Sequence, residues 1–460
     1  MTDRYAVVWA RTAAAPRKMG QLVATGREMR FSYAPEFLEQ TDTAGLSLLL
    51  SPSLWQTRPF VHASTEILPL LPRLMALIPG RNANNIQRRL YTSLLAKRSN
   101  VPAPGFETEW ELLMLTGHNG IGHIDVFPDD RAALDAYDGT GEPKKRVGSR
   151  SEFWRLLKEG TSQDFSAETL DIMRLIGPTP SVGGQIPKLL VSIPDKKSWD
   201  GTLAEPGARQ INGVAYTDVV MKVEDPQYRG LEALEALCLD LHHELGFEVP
   251  RHWRATIDGL SVLAVERFDR TPTGASLAME SFFSVYATGQ QQVRTMTDAE
   301  VEGVGLMLLK LAEIVPIDAP AARLEVYRRF VMALLTGNGD LHLENLAFLG
   351  GPEKVRVAPV FDPTPMRAWD RHDLVSALPF YIHEKQHLGY SVARVGESFG
   401  LTRAVAADIL HELLKATRDY PVRVLALKDV PDVNRKNLAN RVKTLRAKLG
   451  RTDPVSFLGS

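Results

Sequence analysis

A single cysteine, Cys238, stands in 460 residues. One thiol excludes an intramolecular disulfide framework and any zinc site built from cysteine alone. Within its apolar stretch it reads as a small buried residue. The sequence also lacks any run of about 18 apolar residues, the least that a membrane-spanning helix needs. Met1 to Ala10 lack the basic-then-apolar order of a signal peptide. The expectation is a cytoplasmic protein with no membrane partner. An excess of one charge is missing too: 54 Lys and Arg oppose 55 Asp and Glu. Bulk charge therefore gives no reason to expect direct contact with nucleic acid or an anionic membrane. Repeats and low-complexity tracts are absent. What is present is ordinary globular material, 44% apolar and 24% charged, long enough for two or three packed subdomains.

The front of the chain reads as strand-rich. Tyr5 to Trp9 is a short apolar run, Met29 to Tyr33 alternates with period two, and Leu46 to Leu54 is largely apolar. A helical pattern follows from Ile67 to Ile78, its start interrupted by Pro69 and Pro72. Residues 128–150 form an exposed connection, with helical segments near Glu152–Glu159 and Ala167–Ile176 after it. In the middle third, Leu189–Ile193 and Val219–Val223 read as strands, and Leu231–Leu245 as a helix stopped by Gly246. His252–Ala255 and Ser261–Phe268 read as a hairpin about Asp258-Gly259. The last third is mostly helical. Thr297-Asp-Ala-Glu300 has the form of a capping box opening a helix to about Val315. Ala321–Leu335 is a second helix ending at Gly337, and Asp432–Arg451 puts Leu438, Val442, Leu445 and Leu449 on one face.

The chemistry lies in Thr336-Gly-Asn-Gly-Asp340-Leu-His342-Leu-Glu-Asn345, a Gly-flanked loop after a long apolar helix. Downstream, Val355-Arg-Val-Ala-Pro-Val-Phe-Asp362 reads as an apolar strand delivering an aspartate to its end. Phosphoryl transfer needs a carboxylate beside the accepting hydroxyl and oxygen ligands that hold magnesium against ATP phosphates. Asp340, Asn345 and Asp362 reproduce that set in order. The Asp…Asn spacing is not specific by itself, since it recurs at Asp429…Asn434 and Asp432…Asn437. The loop context and the downstream aspartate single out the first pair. Lys222, in Val-Val-Met-Lys222-Val, matches the strand lysine that meets ATP phosphates, although a solvent-facing edge residue fits the local sequence equally well. Glu235 is a possible partner for Lys222, against the plainer reading of a surface helix charge. Adjacent glycines in Ser181-Val-Gly183-Gly184-Gln-Ile-Pro-Lys188 can bring backbone N–H groups against phosphates, although the segment is not a Walker loop and a plain turn fits it at least as well.

Several of these stretches together resemble the HipA family of bacterial serine/threonine kinases. They are Ser181-Val-Gly-Gly-x-x-Pro-Lys188, Glu244-Leu-Gly-Phe-Glu-Val-Pro250, Val265-Glu-Arg-Phe-Asp-Arg270, the loop from Gly337 to Asn345, and Ala358-Pro-Val-Phe-Asp362. The resemblance implies an α+β, two-lobed, protein-kinase-like fold with a β-rich N-terminal part and an all-helical C-terminal lobe. Its divisions would be a subdomain at 1–125, an N-lobe-like region at 126–270 and a C-lobe at 271–460. It implies ATP and Mg²⁺, with Asp340 catalytic and Asn345 and Asp362 on the metal. Gly183, Gly184, Lys188, Lys222, His342 and Phe361 would surround the nucleotide, and Glu266, Arg267 and Phe268 would form a hinge holding adenine through backbone groups. Ser181 would be the autophosphorylation site, where roughly −1.5 to −2 added charges would repel ATP phosphates. The family phosphorylates proteins, among them translation components such as aminoacyl-tRNA synthetases. It is bound by a small helix-turn-helix antitoxin of HipB type and meets DNA only through it. Two departures stand out: Glu344 precedes the metal-binding Asn where a lysine is usual, and Gln185 directly follows the second loop glycine, so that Ile186 takes the usual place of glutamine.

Other features carry less. His118 and His123 flank a Gly-bearing loop with no third ligand nearby, and His242 and His243 are adjacent in a helix and so face apart. Arg435, Lys436, Arg441, Lys443, Arg446, Lys448 and Arg451 give the last helix a basic face, either solvated or a contact for DNA or an acidic partner. Two rival functions stay open at this point: a catalytically weak corepressor acting with a DNA-binding antitoxin, and a small-molecule kinase.

Overall fold

The alternation near the N-terminus becomes an antiparallel sheet in the computed structural model, which describes residues 3–11, 15–40, 42–81, 85–98, 100–138, 144–162, 188–271 and 273–453. Strands β1 (Arg4–Ala10), β2 (Arg17–Ala24), β3 (Glu28–Tyr33), β4 (Phe60–Ala63) and β5 (Ile124–Phe127) lie in the order β4-β3-β2-β1-β5. In β3, Met29, Phe31 and Tyr33 point into the core while Arg30 and Ser32 face water, as a sheet with one wet face requires. The inward residues share a core with Trp110, Leu112 and Leu113 of the helix Phe106–Thr116. The stretch Ile67–Ile78 yields less helix than its apolar pattern predicts: only α1 (Pro72–Met75) forms. Pro69 and Pro72 lack N–H groups, so a helix can begin at Pro72 but cannot run through it.

A second sheet contains β6 (Arg146–Val147), β7 (Lys188–Pro194), β8 (Leu203–Ala204), β9 (Gln210–Ile211), β10 (Val214–Val223), β11 (His252–Ile257) and β12 (Leu260–Glu266). Its order is β11-β12-β10-β7-β8-β6, with β9 also on β10. Asp258 and Gly259 make the β11–β12 turn, both with positive φ. Val219, Met221 and Val223 pack with Val191 and Ile193 in a core on one face. Period two therefore turns Val220 and Lys222 to the other face, and the register sets Lys222 directly opposite Lys188 of β7. On that face lies α2 (Leu231–Glu244), whose Ala236 and Leu239 meet Leu263 and Val265. Glu235 is 1% exposed. The surface-charge reading of Glu235 fails because α2 is buried along nearly its whole length.

The last third is helical apart from a small sheet, β13 (Met279–Ser281), β14 (Ala347–Gly350) and β15 (Val355–Val357). Its helices include α3 (Val301–Leu311), α4 (Ala319–Thr336) and α5 (Asp432–Leu449), which share the largest core. The expected capping box does not form. Asp298 instead accepts the N–H groups of Arg294 and Thr295, and α3 starts at Val301 with no side-chain cap. It also ends at Leu311, short of Val315. The expected strand to Asp362 stops at Val357, because Pro359 has no N–H for a ladder. On α5, Leu438, Val442, Leu445 and Leu449 are buried, as their spacing predicts. Much of its basic face is used within the chain: Arg435 and Lys436 pair with Asp432, Arg441 pairs with Asp370, and Arg446 donates to Thr417 Oγ1. Among the described residues no helix is long and apolar enough to cross a membrane. The expected helix Ala167–Ile176 lies outside the described residues.

Candidate active site

Gly337 ends α4 in the left-handed conformation, φ 75°, and starts the loop that carries Asp340. A Cβ there would lie 2.6 Å from Leu438 Cδ1, so α5 presses the loop from below. The loop is tied by its own polar groups. Asp340 N–H donates to Asn338 Oδ1 at 2.9 Å, and the Asp340 carbonyl accepts from His342 N–H and from Asn345 Nδ2, both at 2.8 Å. Asn345 thereby spends its amide N–H₂ on the loop and keeps its carbonyl oxygen for another partner.

Asp362 follows Phe361 with φ 54°, an uncommon conformation for a non-glycine residue. It turns the carboxylate between the two lysines of the sheet. Lys188 Nζ donates to Oδ2 at 2.7 Å and Lys222 Nζ to Oδ1 at 2.8 Å. Lys222 also donates to Glu235 Oε1. Two ammonium groups opposite one another on neighbouring strands repel, and the carboxylate between them removes that repulsion. The lysines hold Asp362 far below the usual carboxylate range despite its burial, and the pair of carboxylates keeps Lys222 charged, its pKa raised.

Asp340 stands differently. Its side chain is 47% exposed, yet the protein packed around it strips part of its hydration. That desolvation, with the Asp362 charge added, lifts its pKa to about 7, against the pull of Lys188 and Lys222. His342 lies 3.9 Å away through Nε2, and burial pushes it down to about 4, so its imidazole is neutral at ordinary pH.

One cavity takes in the lysines, Asn345 and Asp362. Lys188, Lys222, Glu344, Asn345 and Asp362 line it together with Val220, Val265, Glu266, Arg267, Phe268 and Phe361. The rings of Phe268 and Phe361 are 5.6 Å apart. Glu266, Arg267 and Phe268, the expected hinge, have contacts the sequence did not disclose. Glu266 N–H is bonded to the Arg251 carbonyl and Arg267 N–H to the Asp218 carbonyl, which leaves the Phe268 N–H without a partner among the described residues. The Glu266 carboxylate is held by Arg251. Arg267 is buried and forks onto Asp269 while donating to the Gly120 carbonyl at 2.8 Å. Ser181, Gly183, Gly184, Gln185 and Ile186 lie outside the described residues. Sequence reasoning missed Arg73, Met75, Ala76, Ile78 and Ile121 of the N-terminal part, which line the same cavity. No local signal marks them, since it is the docking of two subdomains that brings them there. His118 stacks on Phe127 and His123 is buried against the Ala44 carbonyl. Among the described residues no three His, Cys, Asp or Glu side chains converge as a metal site.

A strand lysine paired with a helix glutamate, a loop Asp and Asn, and a second Asp across the cleft make this a mixed α+β, protein-kinase-like molecule. A family model described as the HipA-like C-terminal domain matches residues 180–420, and the chain belongs to that family. A Sinorhizobium fredii protein named "Putative kinase Y4dM" is 26% identical over 243 residues, 49% of this chain and 54% of its own length. A Haemophilus influenzae protein named "Putative kinase" is 23% identical over 232 residues, 44% of this chain and 66% of its own. The chain thus spans between half and two thirds of these curated relatives. Among solved structures, a chain of the HipA–HipB–operator DNA complex of the Shewanella oneidensis MR-1 toxin–antitoxin system shares the fold. Its TM-score is 0.61 at 16% identity, over 96% of each chain.

Proposed function

We propose that this chain is an ATP-dependent serine/threonine protein kinase of the HipA toxin type, built of parts near 1–125, 126–270 and 271–460. The observation that carries this reading is Asp362 held between Lys188 and Lys222, in one cavity with Asn345 and beside Asp340. The residues fit magnesium. Asn345 and Asp362 offer a carbonyl and a carboxylate oxygen to one cavity, the hard donors Mg²⁺ takes alongside phosphates and water. When bound, the ion neutralises phosphate charge. Lys222 and Lys188 supply fixed positive charge for ATP phosphates, with Glu235 orienting Lys222. Asp340 takes the proton of a serine or threonine hydroxyl as its oxygen bonds to the γ-phosphorus and the bond from that phosphorus to the ADP oxygen breaks. Neutral His342 packs beside Asp340 without adding charge. The Phe268 N–H is the hinge donor open to adenine. Glu344, in place of the usual lysine, leaves the phosphate end with one cation fewer.

The relative from the HipA–HipB–operator DNA complex supports an antitoxin of HipB type as partner, with DNA met through it. A protein substrate such as a translation component is what the family resemblance adds to this reading. The test is intact mass and phosphopeptide mapping after incubation with Mg-ATP, wild type beside Asp340→Asn. A single phosphate added to Ser181 in wild type alone is the expected result. A protein that binds ATP yet gains no phosphate, and transfers none to lysate proteins or metabolites, would favour the corepressor reading. Transfer to metabolites alone would favour a small-molecule kinase.

A further inference from the structure

Arg73, on α1 of the N-terminal part, is 3% exposed, yet among the described residues its buried Nη2 has no hydrogen-bond partner and no carboxylate pairs with its guanidinium. The two carboxylates that act on it, Glu280 and Asp269, are committed elsewhere. Glu280 accepts from Ser47 Oγ, Leu48 N–H and Ser284 Oγ. Asp269 accepts from Arg267, Arg270 and the Gly122 N–H. A buried cation with no acceptor is costly to fold around, so something other than protein completes it.

The position of Arg73 says what that is. It lines the cavity of Lys222 and Asp362 together with apolar Met75, Ala76 and Ile78. Its Nη2 would lie 2.8 Å from a Cβ on Gly122, and Gly122 N–H is 2.7 Å from Asp269, the residue after Phe268. Arg73 therefore stands at the hinge end of the cavity. That end is short of donors, because the N–H groups of Glu266 and Arg267 are already bonded. A guanidinium is donor-only and answers ring nitrogens and hydroxyl oxygens.

We propose that Arg73 is a nucleotide-binding residue contributed by the N-terminal subdomain, donating to acceptor atoms of the purine nucleoside while Lys188 and Lys222 hold the phosphates. The proposal rests on the kinase reading above and adds to it a nucleoside-selecting wall. It is tested by calorimetric titration of the full chain with Mg-ATP and, separately, with Mg-tripolyphosphate, which has no nucleoside. Arg73→Met is expected to weaken Mg-ATP about 10- to 100-fold, the size of one or two charge-assisted hydrogen bonds, and to leave tripolyphosphate unchanged. Lys222→Met is expected to weaken both. Equal Mg-ATP affinity of Arg73→Met and wild type means water alone solvates the guanidinium and overturns the proposal without touching the kinase reading. Equal loss of both probes in Arg73→Met also overturns it. A wild-type protein that binds no Mg-ATP overturns both. Should Arg73→Met fail to fold, Arg73→Lys keeps the charge but not the fork, and the same split between the two probes decides.

Discussion

Lys188 and Lys222 are neighbours across β7 and β10, so Asp362 has a structural duty as well as a chemical one. Asp362→Asn leaves two ammonium groups face to face in a buried site, and a loss of about 3–5 kcal/mol in denaturant unfolding is expected. The pH sign follows from its depressed pKa. Wild type carries this stabilisation above the unfolded carboxyl pKa of 3.8 and loses it as pH falls below that value, so the gap between wild type and Asp362→Asn should narrow there. Asp340 has the opposite sign. Its folded pKa of about 7 lies above 3.8, so the folded state binds the extra proton between those values and stability declines as pH rises through them. Asp340→Asn is therefore expected to gain on wild type from pH 4 to 7 in thermal scans. It should also lose roughly 10²–10⁴-fold in phosphate transfer. In wild type, kcat/KM should rise with pH through about 7 as the carboxylate forms. A mutant with wild-type transfer would sink the assignment of Asp340.

At the scale of elements, the loop that carries Asp340 is held between α4, α5 and the segment after Asp362. Gly339 has no room for a side chain: a Cβ would stand 2.4 Å from the Leu374 carbonyl oxygen and 3.3 Å from Arg367 Cγ. Gly339→Ala must move Asp340 or the Leu374 segment. We expect it to abolish phosphate transfer while the protein still unfolds cooperatively and binds Mg-ATP, read by mass spectrometry and calorimetry side by side. Transfer at the wild-type rate would mean the loop geometry is not what limits the chemistry.

Over the whole molecule, the N-terminal part is bound to the hinge by a buried charge cluster. Arg267 and Arg270 fork around Asp269 and reach the carbonyls of Gly120 and Gly122, which Arg11 also holds. Asp269 is the anion shared by both arginines, held far below the usual carboxylate range by them. Asp269→Asn strands two buried guanidinium groups, and a loss of about 3–5 kcal/mol is expected. Because the cluster joins the cavity-lining segment Glu266–Asp269 to the first sheet, the proposed function predicts that Mg-ATP affinity falls with it. A 126–460 fragment that bound Mg-ATP as tightly as the full chain would show the two parts to be independent.

What the sequence by itself determined is the local part. The loop Gly337–Asn345, the downstream Asp362, the hairpin at Asp258-Gly259 and the stop at Gly337 depend on neighbours in the chain, where spacing and backbone preference act directly. Local signals also misled, as at Thr297–Glu300, where Asp298 found N–H groups behind it instead of ahead. Only the tertiary structure decided which way Lys222 faces, because orientation on a strand is set by register against β7 and β12. It alone buried Glu235, whose environment comes from what packs on α2. It made Arg267, Asp269 and Arg270 a clamp on the N-terminal part while Glu266, Arg267 and Phe268 line the cavity, and it brought Arg73 there too. Each of these depends on residues far away in the chain meeting in space, which no spacing within one segment records.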